Sequence, residues 1–207
     1  VEHMLFKGTN KRTARQIINR IESIGGELNA YTTKEETAIY AACMKEDFKS
    51  IIELLYDMVF DSVFAENERK KELSVISDEI ESYNDSPSEL IFDDFESLIY
   101  GKHPLGNPIL GTKETISSFN SLTLSEFHRK HYTPERIVFF LQGNLAFTQV
   151  INTLQNLQLK YPHHTTPSYT RQSVTYINKC LQQEFAKETH QTHFVCGGRA
   201  YNLHEPK

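Results

Sequence analysis

The sequence predicts an α+β fold: a mixed, largely antiparallel β-sheet with helices packed on one face. Three observations predict it. Apolar residues recur at helical spacing in several separate segments. An alternating stretch and an apolar one, either side of a short polar turn, read as a β-hairpin. The two patterns also interleave along the chain, as they do when helices layer against a sheet.

The elements follow in order. Ala14, Ile17, Ile18, Ile21 and Ile24 share one face of a helix, with Thr13 as its N-cap and Gly25-Gly26 as its stop. In "ELNAYTTKEETAIYAACM", Leu28, Ala30 and Thr32 alternate with Asn29 and Tyr31, and "TKEE" is the turn. The return strand, 39–43, is apolar on both faces, which predicts a central position. A second helix spans 47–60 through Phe48, Ile51, Ile52, Leu55 and Met58. A third spans 66–83, with Leu73, Ile76, Ile80 and Tyr83 as its buried stripe. Ser86-Pro87 opens a fourth, because proline at the first helical position gives up no needed hydrogen bond. "GKHPLGNPILGT" is a loop. "TLSE" has the form of a capping box and starts a helix near Thr123 that ends before Pro134. "RIVFFLQG" reads as a buried strand, 148–159 as a helix, and "YPHHTTPSYT" as a connector. "SVTYIN" and "THFVCGG" read as the last strands.

Composition narrows the function. A chain of 207 residues with 39% apolar content can bury a core. A net charge of −5 argues against nucleic acid and anionic membranes as partners. No stretch reaches the ~18 consecutive apolar residues of a membrane span. Cys43, Cys180 and Cys196 form neither a C-x-x-C pair nor a disulfide framework, which favours a reducing compartment and the cytoplasm over the periplasm, without fixing either.

Two small features carry chemistry. Glu2 and His3 stand side by side at the start of the chain. Glu72 and Glu79 lie seven residues apart on the third helix, and seven steps of ~100° bring both carboxylates to one face. Taken alone, each feature also reads as surface, the second as an acidic edge with Glu66, Glu68, Asp78 and Glu81. Glu79, however, adjoins Ile80 of the apolar stripe, a costly place for an unpartnered charge. Joined, the two features suit a zinc site, which needs N and O ligands from separate helices and a carboxylate that accepts a proton from water.

"EHMLFKGT", "GGELNAYTTKEET", "ELSVISDEIESYNDSP", "HPLGNPILGT" and "HYTPERIVFFLQGNL" together resemble the pitrilysin/insulinase family of zinc peptidases. This is the inverted H-x-x-E-H group that includes the mitochondrial processing peptidases. The resemblance is strong over residues 1–144 and weaker beyond, where "THFVCGGRAYN" is similar to a later strand of the family's first half. It implies that His3 and Glu79, 76 residues apart, are zinc ligands. By the same match Glu2 is the general base, and Glu72 supports the site from behind the ligands. It further implies that Asn29 and Ala30 lie on an edge strand to which a peptide substrate adds as an extra strand.

The motif's first histidine would fall two positions before Val1. The resemblance thus implies that residues 1–207 are a single, incomplete N-terminal half-domain, with 1–144 its catalytic part and 145–207 the start of its later part. Alone, this piece is expected to be inactive and a poor zinc binder. A homologous second half, on the same polypeptide or a partner subunit, would complete the peptidase. A catalytically silent homologue acting as a scaffold subunit is the alternative.

Overall fold

The structure, a computed structural model, describes residues 1–159, 174, 179–187, 190–198 and 200. Two units divide the chain: 1–74 with 117–168, and 75–116 with 169–207.

The first unit begins with a short helix, α1 (Glu2–Leu5), whose Met4 and Leu5 are buried. α2 (Ala14–Glu22) starts at Thr13, where a capping box with Gln16 satisfies the first free N–H groups. It ends in a Schellman turn: Gly26 N–H reaches the Ile21 carbonyl and Gly25 N–H the Glu22 carbonyl. Gly25 supplies the left-handed φ of +65°. A side chain on Gly26 would meet Ile21 Cδ1 at 2.7 Å and the Ala42 carbonyl oxygen at 2.8 Å, so both glycines are required here.

β1 (Glu27–Thr32) and β2 (Thr37–Ala42) then pair antiparallel, with Thr32 opposite Thr37 and Ala30 opposite Ile39. The fold is α+β, as the sequence predicts, but among the described residues the sheet has only these two strands. β2 is not central: none of its residues is buried and Tyr40 is 43% exposed. Its small alanines leave little to bury on either face. "RIVFFLQG" forms no strand either; Val138 is 92% and Phe140 81% exposed. An extended segment needs a neighbour to take its backbone hydrogen bonds, and no described strand lies beside this one. Residues 192–198 likewise lack regular structure. Most of "SVTYIN" and all of "YPHHTTPSYT" lie outside the described residues.

α3 (Phe48–Phe60) is the spine of this unit. Ile51, Leu54 and Met58 pack with Ile17 and Ile21 of α2, while Phe48 and Ile52 pack with Val150 and Leu157 of a later helix (Phe147–Gln158). α4 (Glu66–Asn84) contributes its residues up to Ser74 to this unit.

In the second unit, α5 (Pro87–Tyr100) opens behind Ser86 as predicted. The loop after it carries a 3-10 turn, Pro104–Gly106, fastened by Ser97 Oγ donating to the Gly106 carbonyl at 2.6 Å. A helix the sequence reading missed, α6 (Lys113–Ser118), begins as Thr112 and Thr115 exchange hydrogen bonds.

α7 (Ser121–His131) returns to the first unit. Its N-cap is Asn120, not Thr123: Asn120 Oδ1 accepts from Thr123 N–H, and Thr123 Oγ1 accepts from Asn120 N–H. The shorter Asn-x-x-Thr box wins because asparagine is among the best caps. The last helix among the described residues, Phe147–Gln158, is α8.

α7 is docked by a buried histidine. His128 Nε2 lies 2.7 Å from the Val59 carbonyl oxygen, one of the four at the end of α3 without a helical partner. Its ring stacks on Tyr132 and tilts against Phe64. Burial pushes the His128 pKa below its ordinary value, against the pull of the Val59 carbonyl. The unfolded chain therefore takes up a proton near pH ~6.5, where the folded chain does not. Stability is complete above that pH and falls as pH drops through the window beneath it. Urea melts at pH 7.5 and pH 5.5 are expected to show the loss, and His128→Gln, which keeps a donor for Val59, is expected to flatten it.

Candidate metal centre

α1 carries Glu2 and His3 at the start of the first unit. Met4 and Leu5 anchor the helix from beneath, packed with Phe64 and flanked by Phe6, Leu124 and Tyr132. The chain leaving α1 is fastened as well. Thr9 Oγ1 donates to Asp57 Oδ2 at 2.7 Å, and Arg12 Nη1 reaches the same oxygen at 2.5 Å. Lys11 Nζ stands 3.6 Å from Oδ1. Asp57 sits on α3 and is 1% exposed. The turn it holds also pairs with the end of α3, through Asn10 N–H to the Asp61 carbonyl and Val63 N–H to the Gly8 carbonyl.

His3 Nδ1 lies 3.2 Å from Glu72 Oε2, and Lys7 Nζ lies 2.6 Å from Glu72 Oε1. Glu72 is 6% exposed. Periodicity sets Glu72 and Glu79 on one face of α4, with Glu79 against the apolar stripe; in the structure Glu79 is exposed and Glu72 is buried. Glu72 is tolerated there because each of its oxygens has a cationic or N–H partner. Of the predicted stripe on α4, only Ile80 is fully buried; Leu73, Ile76 and Tyr83 are half-buried.

Glu2 meets the hairpin. Thr32 Oγ1, at the end of β1, donates to Glu2 Oε2. Thr37 Oγ1 lies 3.2 Å from Thr32 Oγ1. Burial, and beyond it the Glu2 carboxylate, push the Tyr132 phenol up. On β1 the Asn29 Oδ1 accepts from Ala30 N–H at 2.8 Å. Tyr31 and Tyr40 are exposed side by side, ring centroids 6.4 Å apart. Cys43, Cys180 and Cys196 are free exposed thiols.

Zinc takes nitrogen and oxygen donors, and a ligating histidine usually gives its other ring nitrogen to a carboxylate. His3 fits that role: with Nδ1 engaged by Glu72, a metal would take Nε2. Among the described residues, no cluster of three or more His, Cys, Asp or Glu side chains assembles that could hold a metal. The described donors therefore fit part of a zinc site.

Lys7, Thr32, Thr37 and Asp57 were not singled out in the sequence. Lys7 had a signal, four residues after His3 and so on its face of a helix. Asp57 had another, a charge inside the apolar run of α3.

Residues 1–113 match the family model described as insulinase, peptidase family M16, and residues 118–207 match that of the peptidase M16 inactive domain. The chain belongs to peptidase family M16. Among its M16 relatives is an uncharacterized zinc protease, YmxG, of Bacillus subtilis, 44% identical over 146 residues that cover 70% of this chain and 36% of that protein. Another, from Rickettsia felis and also named an uncharacterized zinc protease, is 37% identical over 187 residues, 88% of this chain and 45% of the relative. The chain thus spans less than half the length of these relatives. Solved structures share the fold. A protease from Helicobacter pylori superposes with a TM-score of 0.78 at 19% identity, covering 84% of this chain and 42% of that one. Pitrilysin does so with 0.72 at 20% identity, covering 84% and 19%.

Proposed function

We propose that this M16 chain is the zinc-binding portion of an endopeptidase that hydrolyses peptide bonds with Glu2 as general base. The observation that carries the reading is the buried Glu72 carboxylate on His3 Nδ1, beside a Glu2 turned toward the hairpin. In the full-length protein, His3 and Glu79 would hold the zinc together with a histidine that the family motif puts two positions before Val1.

Bound zinc supplies Lewis acidity, which makes water a nucleophile at neutral pH. Glu72 fixes the His3 tautomer. Glu2 takes the proton of the attacking water on its carboxylate and later passes it to the leaving amine. A peptide adds as a strand along β1 at Asn29 and Ala30, where its carbonyls would compete with Asn29 Oδ1 for the Ala30 N–H. A homologous second half, in cis or as a partner subunit, closes over it.

The experiment is a cleavage assay on the full-length parent. Loss of cleavage with a chelator and recovery with zinc supports the reading; chelator-resistant cleavage, or a zinc-loaded parent that cleaves nothing, overturns it. Lys7 is expected to matter for support alone. Lys7→Met leaves Glu72 buried beside His3 without its cation, so stability should fall by about 2 kcal/mol in urea titrations, with Lys7→Arg restoring part of it.

A further inference from the structure

We propose that Thr32 is a positioning residue for the Glu2 carboxylate, tying the base to the strand on which a peptide docks. The inference rests on Glu2 acting as the base of a peptidase. Thr32 is the last residue of β1 and Thr37 the first of β2, and the two face each other in register. Their hydroxyls form a row from Thr37 through Thr32 to Glu2.

Counting protons gives the row a direction. A threonine hydroxyl has one proton to donate and two lone pairs. Thr32 gives its proton to Glu2 Oε2. Its contact with Thr37 then needs the Thr37 proton. Both threonine donors point toward the carboxylate. Glu2 Oε2 is thereby held by a hydroxyl fixed on the hairpin, which leaves Oε1 to accept the proton of the water. Because Thr32 lies two residues beyond Ala30 on the same strand, seating a peptide on β1 braces the group that aims the base.

The test uses the full-length parent with Thr32→Val, Thr32→Ser, Thr37→Val and Glu2→Gln, measuring kcat, KM, bound zinc and thermal midpoint. Thr32→Val is expected to lower kcat by about tenfold with KM and zinc content unchanged, as for a lost hydrogen bond to a charged group. Thr32→Ser should recover most of the rate, since it keeps the hydroxyl. Thr37→Val, which removes only the donor behind Thr32, should cost about threefold in kcat and decides the matter if Thr32→Val does not fold. Kcat within about twofold of wild type in both valine variants overturns the proposal, and so does an equal loss in Thr32→Ser. Glu2→Gln separates the two levels: if it stays active, the base assignment falls and this inference with it. If it is dead while the valine variants are normal, only Thr32 falls.

Discussion

Glu2→Gln in the full-length parent is expected to lower kcat by about 10²–10⁴-fold, the usual contribution of a general base, with zinc content unchanged. Glutamine has the shape of glutamate and keeps a carbonyl oxygen for the Thr32 hydroxyl, so the hairpin contact at Oε2 survives. What it cannot do is accept the water's proton. Glu2 is also not among the proposed ligands, so metal content separates its role from that of His3. Peptide cleavage under saturating substrate, with zinc measured on the same sample, checks this. A Glu2→Gln protein that loses its zinc along with its activity would make Glu2 a structural residue of α1.

Asp57→Ala is expected to destabilise the chain by about 3 kcal/mol. The carboxylate is almost fully buried and joins Thr9, Arg12 and α3 in one network. Removing it leaves the buried Thr9 hydroxyl without its acceptor and the Arg12 guanidinium, 30% exposed, without its anion. Asp57→Asn keeps an acceptor for Thr9 but not the charge, and should fall between. Urea unfolding at constant m-value measures both. A loss under about 1 kcal/mol in Asp57→Ala would mean that the turn after α1 is held by its backbone pairing with Asp61 and Val63 alone.

The helices were legible because their signals are local. Thr13, Gly25 and Pro87 each act within one turn of themselves, and the structure uses each as read. The hairpin was legible for the same reason, since its turn and its alternation lie within a dozen or so residues. What failed was what depends on distant partners. "RIVFFLQG" has strand composition, but a strand exists only where another strand takes its hydrogen bonds. Thr123 drew the cap because its own box was complete, while Asn120, three residues earlier, made a better one. At the site, periodicity put Glu72 and Glu79 on one face of α4 without saying which would be buried. It is Glu72 that is buried, because Lys7 and His3, far away in sequence, partner its two oxygens there. The threonine pair was invisible for a related reason: a hydroxyl on an alternating strand looks like ordinary polarity until Glu2 arrives beside it.

The central claim is that His3 and Glu79 hold one zinc ion in the full-length protein. Anomalous X-ray scattering at the zinc edge from crystals of the zinc-loaded parent tests it most directly. The account predicts a single strong peak at about 2.0–2.2 Å from both His3 Nε2 and a Glu79 carboxylate oxygen. A zinc peak bonded to other side chains, with the His3 ring turned away from it, would contradict the account.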